Sequence, residues 1–252
     1  MSKALPCTLG LMLALSLGCT FGWDDVSVVG VTQVDSRWWQ DSADTQAPDL
    51  PDAALIYSGN GGVGELGFYG SMTHTETSSA LEARGTDVTR TDSWPSSLLD
   101  FRMILMPAPG MLEQQSFSAG QTSELKRYLD AGGLLLIEAE NDTVMSYTVL
   151  NALLEDLDLD LRLEGGYIRG DALPAQADPL TLGLHKVGVL AGARVGGARC
   201  ILSLGPDCAA AAADVGDGVV VVLGDGNILS DLEAWSDQGY ENRDLFLQIV
   251  GL

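Results

Sequence analysis

Four short apolar runs constrain this chain more than any other feature: 53–57 (AALIY), 103–106 (MILM), 134–137 (LLLI) and 219–223 (VVVVL). Each is apolar at consecutive positions, so an extended segment there is hydrophobic on both faces. Each is also far shorter than the roughly 20 residues a bilayer span requires. Helix-like segments separate them. "SAGQTSELKRYLDAGG" is the clearest, with Ser118 or Thr122 as a cap, apolar residues at Leu125, Tyr128 and Leu129, and Gly132 as the stop. "THTETSSALEARG" reads as a second helix closed by Gly85, and "TDVTRT" as a further strand. Strands apolar on both faces, alternating with helices, predict a parallel sheet covered on both sides.

The second half reads as richer in β-structure. "VLNALLEDL" is helical and "LDLDLRLEG" alternates leucine with charge as a half-exposed strand does. "DPLTLGL" is a turn, "ARCILSL" and "DGVVVVLGD" are strands, and "NRDLFLQIVGL" closes the chain as a helix. The 252 residues are enough for one large domain or two small ones.

The N-terminus reads differently. "MSKALPCTLGLMLALSLGC" has one positive charge, Lys3, then a short apolar run, then Gly18-Cys19. This is the layout of an export signal, and "LSLGC" resembles a bacterial lipobox, whose cysteine is diacylated after cleavage. Residues 1–18 are then a lipoprotein signal peptide, Cys19 carries the lipid, and two acyl chains together make a stable anchor. An ordinary secretory signal cut nearby is the other reading. Thr20, rather than Asp, after the cysteine favours the outer membrane, with the domain facing the periplasm. Residues 19–52 are acidic and turn-rich, a tether in which "VSVVGVTQV" can add a strand and Trp38-Trp39 can pack or bind. The domain proper spans 53–252. Cys200 and Cys208 remain, an even pair in an oxidising compartment with a Gly205-Pro206 turn between them. They either form a disulfide or stay as two small buried side chains.

Asp plus Glu total 35 against 13 Lys plus Arg, a net charge of −22. A surface this acidic repels phosphate backbones and argues against nucleic acid. "GNGGVG", 59–64, fits a dinucleotide glycine pattern after a strand, but the helix that should follow at once is about ten residues late and Asp92 lies too far along. No cofactor is expected; a loop at the carboxyl edge of the sheet, presenting Asn60, Gly61 and Gly62, is the better reading. "DLDLD", 156–160, fails as a calcium loop because Leu161 and Tyr167 stand where glycine and glutamate belong, and reads as a solvated strand face. His74 and His185 are the only histidines, and no nucleophile-elbow serine motif accompanies them; both read as structural.

The carboxyl edge should also gather Glu138, Glu140 and Asn141 after one buried strand and Asp225, Asn227 and Asp231 after another. Clustered carboxylates can bind a cation, share a proton or contact hydroxyl groups. Alternatively, Asp225 and Asp231 cap the following turn and helix.

Taken in order, "LLDFRMILMPAPG", "LKRYLDAGGLLLIEAEND", "NALLEDLDLDL", "DPLTLGL" and "GVVVVLGDGNILSD…NRDLFLQIV" resemble the class I glutamine-amidotransferase-like superfamily, over Ala53 to Leu252. The nearest branch is non-catalytic; it includes a domain of intraflagellar-transport proteins, the domain after the protease in membrane-bound subtilisin-like convertases, and bacterial gliding-motility envelope proteins. The resemblance implies an α/β fold, a flavodoxin-like three-layer sandwich with a mainly parallel sheet, here with a β-rich C-terminal half. In catalytic members the strand after the Gly-Gly turn leads to a nucleophilic cysteine. Here that stretch reads Glu138-Ala139-Glu140-Asn141, and no histidine follows His185, so amidotransferase chemistry cannot run. The expected function is a lipid-anchored envelope protein that binds a protein partner or small ligand. The alternative is a carboxylate- or metal-assisted hydrolase acting on an envelope glycan. The enzyme requires Glu138 or Glu140 beside Asp225 in a concave pocket; the binding module requires a shallow or plugged edge.

Overall fold

The computed structural model describes residues 50–63, 73–197, 199–231 and 239–251. The signal segment, Cys19, most of the acidic tether and Trp38-Trp39 lie outside the described residues. In chain order come β1 (Ala53–Tyr57), α1 (Thr75–Glu82), β2 (Asp87–Thr91), β3 (Met103–Met106), α2 (Ala119–Asp130), β4 (Leu134–Glu138) and α3 (Thr148–Asp156). They are followed by β5 (Leu161–Pro174), β6 (Val187–Gly197), β7 (Arg199–Leu204), β8 (Asp207–Val215), β9 (Gly218–Leu223) and α4 (Asn242–Ile249).

The nine strands among the described residues belong to one sheet, in the order β2-β1-β3-β4-β9-β8-β7-β5-β6. The pairs among β2, β1, β3, β4 and β9 are parallel. Every pair from β9 onward is antiparallel. The expectation of a mainly parallel, flavodoxin-like three-layer sandwich is therefore corrected: the sheet is mixed and β-rich, with four α-helices among the described residues. The reason is connection length. β7 and β8 are joined by Gly205-Pro206, and β8 and β9 by Gly216-Asp217. A two-residue turn allows only an antiparallel neighbour, whereas a parallel crossover needs a dozen residues or more. Gly216 takes φ +57°, as such a turn requires.

The apolar runs behave as their composition demands. Ala54, Ile56, Met103, Leu105, Leu136, Val219, Val221 and Leu223 face one core with α1 and α4. Leu55, Tyr57, Ile104, Met106, Leu135, Ile137, Val220 and Val222 face the other with α2 and α3. α2 starts at a capping box: Ser118 Oγ accepts from the Gln121 amide, and the Ser118 amide donates to the Gln121 side chain. It ends at two glycines with different duties. Gly132 takes φ +88°, and a Cβ on Gly133 would lie 2.2 Å from the Tyr128 ring. That ring is fully buried, its hydroxyl donating to the Arg102 and Leu134 carbonyls at 2.8 and 2.9 Å.

Two strands carry little sequence signal. β8 is built from DCAAAAADV, and five alanines by themselves favour a helix. They form a strand because Ala209 to Ala212 are wedged between β7 and β9 with core on both faces. β6 is interrupted by glycines and pairs with β5 through several register shifts. The aspartates at 156–160 are not on a strand: α3 ends at Asp156, Asp158 turns the chain at φ +60°, and β5 starts only at Leu161.

Cys200 and Cys208 are joined by a disulfide across β7 and β8, their Cα atoms 5.8 Å apart.

Candidate functional site

The register of β4 against β9 sets Glu138 opposite Leu223. The two chains stay paired beyond the strands, the Ala139 amide donating to Leu223 and the Gly226 amide to Ala139. This continuation carries Glu138, Glu140 and Asn141 into the same volume as Asp225 and Asn227. Glu138 and Asp225 are fully buried, and Glu140 is 4% exposed. Three carboxyl groups thus share a small buried space.

Asp225 is wholly occupied. One oxygen accepts from the Asn227 amide and side chain, both at 2.9 Å. The other accepts from the backbone amides of Leu190 and Ala191 on β6, at 2.5 and 2.9 Å. Asn141 donates to the Ala191 carbonyl at 2.9 Å, and the Ala193 amide donates to Gly224. β6 is therefore pinned across the carboxyl end of β9. Gly192 permits this approach: a Cβ there would sit 2.9 Å from the Asp225 Cβ and 3.1 Å from the Gly224 carbonyl.

His74, immediately before α1, brings Nε2 within 2.8 Å of a Glu138 oxygen. Burial lowers the His74 pKa, but the Glu138 charge and hydrogen bond outweigh it and the net direction is upward. Burial raises the pKa of Glu138, against the pull of His74. The pair accordingly holds a proton between its members. Glu138 Oε1, the second oxygen, is buried with no hydrogen-bond partner. Glu140 is pushed up to about 8, by burial first and then by the charges of Asp225 and Glu138. Its carboxyl accepts from the Gly226 and Asn141 amides and lies 3.4 Å from the Asn227 side-chain amide. Crowding by neighbouring carboxyls thus keeps the proton on Glu140 near neutrality. Among the described residues no group of three or more His, Cys, Asp and Glu has the geometry to hold a metal ion.

The remaining candidates separate from this cluster. Asp231 caps α1 across 155 residues of sequence: it accepts from the Glu76 amide at 2.9 Å, the Thr75 amide at 3.2 Å and the Thr73 hydroxyl. Those bonds hold its carboxyl below the usual range despite partial burial. Asn60, Gly61 and Gly62 follow β1, on the far side of β3 from the acidic cluster. Asn60 is buried at φ +51°. Its side chain accepts from the Tyr57 hydroxyl at 2.7 Å and donates to the Ser116 carbonyl at 3.1 Å. A Cβ on Gly61 would come within 2.0 Å of the Glu113 carbonyl. The glycines therefore let two chain segments pack together. A cleft of about 470 Å³ opens beside them, walled by Tyr57, Asn60, Asp92, Trp94, Gln115 and Gln121 among others.

Sequence reasoning missed three parts of this edge. His74 and Glu138 lie 64 positions apart, and no spacing rule links them. The Leu190–Gly192 clamp sits on a strand with a weak pattern, although its glycine was a usable sign of close backbone approach. Trp94 stands in a loop without a motif. His185, the other histidine, is exposed and paired with Glu241 at 3.2 Å.

No protein-family model matches the chain, and no curated protein matches its sequence. Solved structures do resemble it. The mmIFT52 N-terminal domain superposes with a TM-score of 0.61 at 17% identity, over 79% of this chain and 96% of that one. The cytoplasmic protein STM3548 from Salmonella typhimurium gives 0.51 at 13% identity, over 79% and 97%. A ThuA-like protein from Bacteroides uniformis aligns more loosely, at 0.49 and 14% identity over 80% and 91%. At such identities the likeness concerns fold alone.

Proposed function

We propose that this chain is a lipid-anchored cell-envelope protein whose amidotransferase-like domain binds a protein partner or a small ligand without transforming it. The observation that carries this reading is the state of Asp225. Both its oxygens are committed to holding β6 and the following turn in place. A carboxylate used as a clamp on the backbone is not free to act on a substrate. The stretch Glu138-Ala139-Glu140-Asn141 supplies no thiol or hydroxyl, so covalent acyl transfer has no nucleophile there. Anchoring rests on Cys19 and the "LSLGC" pattern, and placement in the outer membrane, facing the periplasm, rests on Thr20. No helix among the described residues is long and apolar enough to cross a membrane.

One observation favours the hydrolytic alternative. Glu140, pushed up to about 8, is protonated near neutrality, as a general acid must be. Burial opposes it: the neighbouring Glu138 and Asp225 have no solvent-exposed surface, and a glycan cannot reach them without displacing β6.

The test is a cross-linked pull-down of the full-length protein from its native membranes, alongside Glu138→Gln and Glu140→Gln variants. A reproducible partner, retained by both variants, supports the binding module. Loss of a cellular phenotype in folded variants, with no partner recovered, would overturn it in favour of the enzyme. Incorporation of labelled palmitate that is abolished by Cys19→Ala would support the anchor.

A further inference from the structure

We propose that the cleft at the carboxyl ends of β1 and β2, beside the start of α2, is a binding site for a neutral saccharide. This deepens the binding reading above and rests on it. The site is distinct from the buried carboxyl cluster: Tyr57, Asn60, Asp92, Trp94, Gln115 and Gln121 are among its walls, and none of them contacts Glu138, Glu140 or Asp225 through a hydrogen bond described above.

The size of the cleft, about 470 Å³, falls within the roughly 300–1,000 Å³ of small-molecule sites. Its chemistry selects among small molecules. None of the described residues lining it is basic, and Asp92 is acidic, so a phosphate or carboxylate ligand meets repulsion without compensation from them. The nearby start of α2 does not reverse this. The capping box already engages the Ser118 and Gln121 amides, which weakens the pull such a terminus exerts on anions. What the walls do offer is amide and carboxylate groups. A side-chain amide presents a donor and an acceptor side by side, and a carboxylate presents two acceptors. That set matches adjacent hydroxyls on a sugar ring. Trp94 adds an aromatic surface for the ring's C–H groups.

The walls are also fixed before any ligand arrives, which lowers the ordering cost of binding. Trp94 Nε1 donates to Glu124 at 2.7 Å, and its ring meets Tyr57 and Phe117 edge-on at 5.1 and 6.3 Å. Gln121 donates to Asn60 at 3.3 Å, and Asn60 is itself held by Tyr57 and Ser116. Gln115 and Asp92 lie at the exposed rim.

The full-length protein, in a detergent without a sugar headgroup, is screened on an array of neutral glycans. Hits are then titrated calorimetrically, with AMP and inorganic phosphate as comparison probes. Expected are at least one glycan hit with a millimolar or tighter dissociation constant, and no heat from AMP or phosphate. Gln115→Ala and Asp92→Ala, both at rim positions, should each weaken binding by about tenfold with unchanged thermal midpoint. An empty array, a hit unaffected by both variants, or tighter binding of AMP or phosphate would overturn the proposal. Chromatography of the recovered glycan separates the two readings. Intact glycan supports both, whereas cleaved glycan supports the cleft and overturns the non-catalytic function. An empty array with a protein partner in the pull-down leaves the binding module standing and removes the saccharide.

Discussion

The carboxyl edge of the sheet contains two neighbouring regions that met the same geometric opportunity and used it in opposite ways. At the ends of β4 and β9 the chain gathered Glu138, Glu140 and Asp225 and then covered them with β6, so that their hydrogen bonds serve the fold. At the ends of β1 and β2 it gathered amides, a carboxylate and Trp94 and left them around an open cleft. The difference is one of satisfaction. Buried carboxyls must find donors or protons, and all but Glu138 Oε1 at the closed end do so, in backbone amides, the Asn227 side chain and His74. Rim groups such as Asp92 and Gln115 are exposed and need no buried partner. Acidic residues at a strand end are therefore not in themselves a sign of catalysis.

If this contrast is right, substitutions at the closed end change stability and those at the open end change binding. The largest effect is expected from Asp225→Ala. It removes four hydrogen bonds and leaves the half-buried Leu190 and Ala191 amides and the buried Asn227 amide without an acceptor, for a loss of roughly 3–5 kcal/mol in urea unfolding. A loss below about 1 kcal/mol would mean that the clamp is not structural.

Glu140→Gln should act in the opposite direction, and only at higher pH. The folded-state pKa of Glu140 is raised from 4.5 to about 8, so the native state holds an extra proton between those values. Its contribution is complete below about pH 4.5 and is lost as the pH rises through about 8. Glu138 and His74, both raised, change stability in the same direction. Unfolding measured across pH 5–9 should show the wild type weakening and the Gln variant weakening less, with a gain of roughly 5 kcal/mol at pH 9. Parallel curves for the two proteins would place Glu140 in solvent.

Gly192→Ala is smaller, about 1–3 kcal/mol, because its new methyl group would overlap the Asp225 Cβ at 2.9 Å and the Gly224 carbonyl at 3.1 Å, well inside van der Waals contact. Hydrogen exchange at the Leu190 and Ala191 amides should accelerate in this variant before exchange in β9 does. The smallest change is expected at the open end: Gln115→Ala should lie within about 0.5 kcal/mol of wild type, a chemical-denaturation result that isolates any binding loss from folding.

Much of the parallel half was legible from the chain alone. AALIY, MILM, LLLI and VVVVL are apolar at successive positions, and Ser118 and Gly132 mark where α2 starts and stops. These are local signals, and they hold because each element's own composition requires burial on particular faces. The second half was less legible. The alanines of β8 favour a helix until β7 and β9 flank them, and the glycines of β6 erase its alternation. The parallel-sheet expectation failed at Gly205-Pro206 and Gly216-Asp217, whose short spans require reversal of the chain and were present in the sequence to be weighed.

The candidate edge divides in the same way. That Glu138, Glu140, Asp225 and Asn227 end buried strands follows from sequence, since strand ends follow from apolar run lengths. Their common burial, the Glu138 pairing with His74, the cover of β6 and the loan of Asp231 to α1 do not. The chain by itself determined which segments must be buried and where each must turn, because burial and turning are properties of a few consecutive residues. The tertiary structure alone decided that Glu138 pairs with His74 and which groups remain open to a ligand. Those outcomes depend on contacts between residues 34 to 158 positions apart, and no local pattern encodes such distances.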